Sequence, residues 1–268
     1  ETGTRVPMII RIPKKYKHLY PASGPGKKVE RLVSFVDLAP TLLSLIEEEA
    51  PGFMQGNAFL GTCRKEEPEY VYMFRDRMDE RYDMARSIVD GRYRYTRYYN
   101  SNRIWMQQLE YLWRAPSMQS WEREYLAGKC DEVQARFFRS KQVEELFDTE
   151  NDPWEVHNLA GDPAYADKLL EMRTACLEKA ASIRDAGFIP ETERNIRSGE
   201  QAIYDYMRSP ELPYHEILEA AVTASQRKAD ELENLRKMLE HEDSAIRYWG
   251  IQGLLLLGED AASALEEI

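Results

Sequence analysis

The stretch YVYMFRDRMDERYDM, residues 70–84, sets Arg75, Arg77 and Arg81 among Asp76, Asp79, Glu80 and Asp83, with Arg86 just beyond. Guanidinium groups present planar, paired donors that match the oxygens of sulfate, phosphate or carboxylate. Neighbouring carboxylates can accept sugar hydroxyls or orient the arginines. In strand conformation Arg75 and Arg77 share a face and Asp76 lies on the other. A turn within 78–82 then aims Asp79 and Glu80 separately. The candidate substrate-binding set is Arg75, Arg77, Asp79, Glu80 and Arg81. The competing reading is a solvent-facing salt-bridge network at the start of a hairpin, in which each pair contributes little. Adjacent acids in such a run do not supply the two carboxylates across a sugar that a glycosidase needs.

The elements that must position this cluster are legible in outline. Residues 70–75 read as a strand, and 84–89 and 92–99 as a hairpin joined by the dipeptide DG. The acids and arginines then fall at a sheet edge. Ahead of them VPMIIRI, residues 6–12, reads as a buried strand ended by Pro13, and SFVDLAPTLLSLIEE as a helix starting near Asp37. Behind them the basic-aromatic run GRYRYTRYYNSNRIW reads as a strand with one packed and one wet face, or as a stacking surface for bases or sugars. EELFDTENDPWEVHNLA gives a short strand and an acidic turn. DPAYADKLLEMRTACLEKAASIRDAG gives a long amphipathic helix capped by Asp162, with Pro163 in its first turn and Gly187 as its stop.

Composition bounds the function. The 268 residues are 43% apolar and carry a formal charge of −11, enough to fold and too acidic for a general nucleic-acid binder. Cys63, Cys130 and Cys176 are far apart and show no disulfide or metal-pair spacing, and the isolated histidines exclude a zinc motif. The longest apolar run, GLLLLG, is too short to span a bilayer. The opening ETGTRVPMIIRIP lacks an initiator Met, and the chain is expected to be part of a longer protein.

Three segments resemble the sulfatase family of the alkaline-phosphatase-like superfamily. ETGTRVPMIIRIP is similar to its Y-E-x-G-x-R-x-P segment, and LVSFVDLAPTLLSL, followed by FMQGNAFLG, to its V-x-x-x-D-x-x-P-T-x-L helix. EELFDTENDPWEVHNLA resembles the E-L-Y-D-x-x-x-D-P-x-E-x-x-N-L-A signature near the end of the catalytic domain. The resemblance implies an α+β fold, a sulfatase C-terminal subdomain with a small antiparallel sheet and packed helices, whose hairpin runs toward the substrate side. It implies a sulfated carbohydrate as partner, an ester or a sulfamate, and a periplasmic or secreted bacterial parent. Sulfatases use C/S-x-P-x-R, converted to formylglycine, and a calcium ion. The cysteines here, in CRKEE, CDEVQ and CLEKA, lack that context. No catalytic, cofactor or metal residue is therefore expected in this part, which is expected to be inactive alone. Calcium and formylglycine belong to the complete parent.

Beyond residue 190 strand signals vanish. LRKMLEHEDSAIRYWGIQGLLLLGEDAASALEEI resembles a HEAT-type repeat, with Asp243 or Ser244 as a cap, Arg247 pairing with an acid, and Ile246, Trp249, Leu254, Leu255 and Leu257 as stacking surface. The expected organisation is a sulfatase portion over 1–195, a linker over 196–212, and an all-helical HEAT-like extension over 213–268 that offers a surface to a protein partner. Two other readings are a non-catalytic helical-repeat interaction module and a phosphodiesterase-like member of the same superfamily.

Overall fold

The computed structural model describes residues 3–267, with side chains as far as residue 262. The main elements are helix α1 (Leu38–Leu45), strands β1 (Val71–Met78), β2 (Arg81–Val89) and β3 (Tyr93–Tyr98), and helix α2 (Pro116–Leu126). Strand β4 (Glu144–Asp148) follows, then helices α3 (Ala166–Ile183), α4 (Glu191–Ser198), α5 (Tyr214–Ser225), α6 (Leu232–Leu239) and α7 (Ser244–Leu257). The chain is α+β, with one four-stranded sheet in the order β1-β2-β3-β4. Its strands are antiparallel: Tyr98 N donates to Val143 O at 2.9 Å while Thr149 N donates to Arg92 O at 2.9 Å, a register that runs in opposite directions. The β2–β3 hairpin turns at Asp90–Gly91, where Gly91 has φ +100° and Asp90 Oδ1 accepts from the N–H groups of Arg92 and Tyr93.

By contact the chain divides into two compact units. One comprises Glu1–Tyr72, Ile88–Arg94 and Phe147–His157, the other Met73–Ser87, Tyr95–Leu146 and Asn158–Ile268.

In the first unit, Asp37 organises the start of α1. Its buried carboxylate accepts from Ser34 N at 2.8 Å and from Asn57 N at 2.7 Å. One turn later Thr41 Oγ1 donates to Asp37 O and accepts from Phe59 N, and Ser44 Oγ accepts from Cys63 N. The polar residues of the helix motif thus staple the following loop to the helix. Gly56 is required there, since a Cβ would run into the carbonyl of Val36. VPMIIRI departs from expectation: it is not a strand, and Ile9 is 95% exposed. A strand needs a neighbour for its N–H and C=O groups, and none of the four strands in the described residues flanks this run.

In the second unit the core forms around Met84, with Tyr95, Tyr99, Leu146, Met172, Phe188 and Trp249 buried. Tyr99 packs edge-on against Phe188 at 5.1 Å and Trp249 at 6.0 Å, and Trp249 Nε1 donates to Phe188 O at 2.9 Å. The basic-aromatic run forms strand β3 as expected but has no wet face at its centre: residues 95–101 are all buried, and Arg97 donates to Glu144, Ser225 and Val222 O. Asp162 caps a short 3-10 turn over Pro163–Tyr165 that leads into α3. The helix does not stop at Gly187; it ends at Arg184, which adopts the left-handed conformation at φ +55° with its guanidinium 5.1 Å from the Tyr214 ring.

The segment 196–212 contains the end of α4 and a short helix at Ile203–Tyr206, and it buries Met207 and Leu212. Asp243 caps α7 by accepting from Ala245 N at 2.8 Å. Gly250 and Gly253 let α7 approach Leu235 of α6 closely. Ile246, Trp249, Leu254 and Leu257 are buried, but Leu255 points outward at 58% exposure. Arg247 donates to the carbonyls of His241 and Glu242 rather than to an acid. The last helical segment falls partly outside the described side chains.

Candidate functional site

The hairpin of β1 and β2 carries the candidate residues. Strand β1 continues past the expected 75 to Met78, and the turn is the pair Asp79–Glu80, with Asp79 at φ +51°. Asp is among the few residues that take this conformation cheaply. Asp79 and Glu80 are both exposed at the tip. They border a shallow depression of about 450 Å³ whose other lining residues are Leu109, Glu110, Tyr111 and Arg114.

Arg75 and Arg77 are both in β1, yet their side chains reach different partners. Arg75 Nη1 lies 3.8 Å from Asp83 Oδ2, and the Arg75 side chain is 30% exposed. Asp83 Oδ1 accepts from Lys141 Nζ at 2.5 Å, and Asp83 and Lys141 are 1% and 0% exposed. Lys141 also stands 5.0 Å from the Trp105 ring and 5.3 Å from Tyr98. Burial pulls the Lys141 ammonium below its ordinary pKa, against the opposing attraction of Asp83. The Nε of Arg75, the Nε of Arg81 and the Oδ2 of Asp83 are buried with no hydrogen-bond partner among the described residues. Arg75 therefore retains donor capacity beside a fixed carboxylate.

Arg77 instead gives its Nε to Glu191 at 2.5 Å and lies 5.7 Å from the Tyr82 ring. That hydrogen bond raises the Arg77 pKa. Beside it, Asp76 is occupied by Arg86. Arg86 Nη1 donates to Asp76 Oδ1 at 3.0 Å, and Arg86 Nε donates to Asp185 Oδ2 at 2.6 Å. Asp83 and Arg86, an odd number of positions apart on β2, meet partners on opposite faces of the sheet. Lys141 gave no signal in the sequence, since SKQVEEL reads as ordinary surface. Tyr82 and Arg194 also line the Arg77 side; in the sequence Tyr82 falls in the charged turn ahead of the hairpin and Arg194 at the end of the expected sulfatase portion, and neither stands out there.

The remaining motif residues hold structure. Asn158 donates to Glu144 O at 3.0 Å and accepts from Leu146 N at 2.9 Å, clasping β4. Glu144 accepts from Tyr95, Arg97 and Arg173; burial pushes its pKa up, but the hydrogen bonds from Arg173 and Tyr95 prevail and hold it low. Asp148 accepts from Arg92 at 2.6 Å and from Asn151, and the guanidinium holds it well below the usual carboxylate range. Among the described residues no group of three or more His, Cys, Asp or Glu side chains is arranged to hold a metal ion. No helix among the described residues is long and apolar enough to cross a membrane.

Residues 1–110 match the family described as N-sulphoglucosamine sulphohydrolase, C-terminal. Over 194 residues the chain is 40% identical to an ulvan-active sulfatase of Formosa agariphila, covering 72% of this chain and 31% of that protein. A second ulvan-active sulfatase of the same organism is 30% identical over 176 residues, 62% of this chain and 30% of that one. The chain thus spans about a third of the length of these curated relatives. A solved putative sulfatase from Bacteroides thetaiotaomicron is 26% identical with a TM-score of 0.35, over 55% of this chain and 24% of that one. These sequence matches make the chain similar to the C-terminal part of sulfatases.

Proposed function

We propose that this chain is the C-terminal part of a carbohydrate sulfatase and that its β1–β2 hairpin supplies substrate-side groups. The observation that carries the reading is the collection of Arg75, Arg77 and Arg81, with Asp79 and Glu80, on one hairpin in a chain 40% identical to an ulvan-active sulfatase. The guanidiniums suit a sulfated sugar because they offer several donors in one plane to its oxyanions. The carboxylates at the tip suit its hydroxyls. The whole protein belongs in this reading to the alkaline-phosphatase-like superfamily and hydrolyses a sulfate ester with formylglycine and calcium held upstream. Helices α5 to α7 begin a HEAT-like array that offers a protein-docking surface.

Reading the gene upstream of the Glu1 codon tests this. A C/S-x-P-x-R segment followed by acidic and amide metal ligands supports the reading. An upstream region without them contradicts it, and leaves the helical interaction module as the better description.

A further inference from the structure

A second, more enclosed cavity of about 120 Å³ is lined by Asp76, Arg77, Tyr82, Gly187, Ile189, Glu191 and Arg194. Of these, Asp76 is taken up by Arg86, and Glu191 by Arg77. Arg194 is different. Its Nε is buried without a hydrogen-bond partner among the described residues, and its Nη1 makes only a long 3.4 Å bond to Ala186 O. A buried guanidinium donor left unmade costs more than an ordinary lost hydrogen bond, so a site that keeps one calls for an acceptor. The Tyr82 ring is approached by the guanidiniums of Arg77 at 5.7 Å and Arg103 at 6.0 Å. The cavity also opens at the first turn of α4, where the helix dipole favours negative charge. Its lining acids are already paired, and the free donor capacity is all on the cationic side.

We infer that Arg194 and Arg77, with Tyr82, form a pocket for a small oxyanion, the sulfate or carboxylate substituent of a sugar. The volume admits such a group and not a whole sugar ring. The Tyr82 hydroxyl donates to Met84 Sδ at 3.7 Å, so Tyr82 contributes its ring, against which the Arg77 guanidinium rests at 5.7 Å. Assignment of the anion to a carbohydrate rests on the sulfatase reading, whereas the pocket itself does not.

The test is a titration of the 268-residue chain with sodium sulfate, against sodium chloride at equal ionic strength, following the arginine Nε–H signals by NMR. The expected result is a saturable shift of the Arg194 and Arg77 signals, with affinity reduced roughly tenfold in Arg194→Met, the loss of one charge-assisted contact. Glucuronate and glucose form two further arms. A response to sulfate alone assigns the pocket to a sulfate substituent, a response to glucuronate as well or instead assigns it to a carboxylate, and glucose should give none. Absence of a saturable shift for both anions overturns the proposal. So does binding that is undiminished in Arg194→Met. If that variant does not fold, Arg77→Met and the wild-type Arg194 signal itself decide the question. Failure of this titration leaves the sulfatase reading standing, and failure of the complete protein to release sulfate leaves the pocket standing.

Discussion

Arg86 Nε donates to Asp185 Oδ2 at 2.6 Å while Arg86 Nη2 donates to Asp185 Oδ1 at 3.1 Å, a two-pronged pair that ties strand β2 to the turn after α3. Arg86 is only 1% exposed and Asp185 11%. Removing the Asp185 charge strips the buried guanidinium of one of its two carboxylate partners and leaves Asp76 as the other. Asp185→Asn is expected to destabilise the chain by about 3 kcal/mol, read as a lower urea midpoint with unchanged slope. A loss under about 1 kcal/mol, the range of an exposed pair, contradicts the structural role.

Gly187 belongs to the same arrangement. A Cβ there would collide with Arg86 Nη2 and come within 2.9 Å of Asp76 Oδ2. Gly187→Ala should therefore cost about 1–3 kcal/mol by overpacking, although the backbone at 187 is not in the left-handed region. Combined with Arg86→Met, the penalty should shrink, because the clashing group is gone. Additive losses in the double variant contradict this.

Asp37 bridges Ser34 N and Asn57 N. Asp37→Ala should lower stability by about 1–2 kcal/mol, the range for losing a helix-start acceptor. The same substitution should speed amide hydrogen exchange at Asn57 selectively. Unchanged exchange at Asn57 contradicts the stapling role.

Asp148 and Glu144 both titrate below their ordinary values of 3.8 and 4.5 in the folded chain. For a depressed carboxylate the unfolded state binds the proton first as pH falls. Their stabilising contribution is complete above the unfolded values and is lost as pH drops through the lower, folded ones. Urea midpoints should therefore fall progressively below about pH 4, and Asp148→Asn should flatten that decline. A wild-type midpoint unchanged from pH 5 to pH 2 contradicts the assignment.

Several features were legible in the sequence because local chemistry decides them. The DG turn at 90–91, the Asp243 cap and the start of α1 near Asp37 depend on nearest neighbours, and the structure has them there. Others depend on partners far along the chain. VPMIIRI has strand composition, but no described strand pairs with it. Gly187 looked like a helix stop, yet its purpose is to admit a guanidinium from β2, more than a hundred residues earlier in the chain. At the candidate site the arginines were visible as a cluster, whereas their separation was not. Arg75 goes toward Asp83, which also accepts from the distant Lys141, and Arg77 toward Glu191, 114 residues on, so partners far along the chain divide the cluster.

The measurement that bears most directly on function is sulfate release by the complete gene product from sulfated polysaccharide, ulvan first, with Arg75→Ala and Arg77→Ala alongside wild type. Release by wild type, with KM raised roughly tenfold or more in at least one variant, is the expected result. No release from a panel of sulfated carbohydrates, by a protein shown to carry formylglycine and calcium, would contradict the carbohydrate sulfatase reading. Release with KM and kcat unaltered in both variants would contradict the part given to the hairpin.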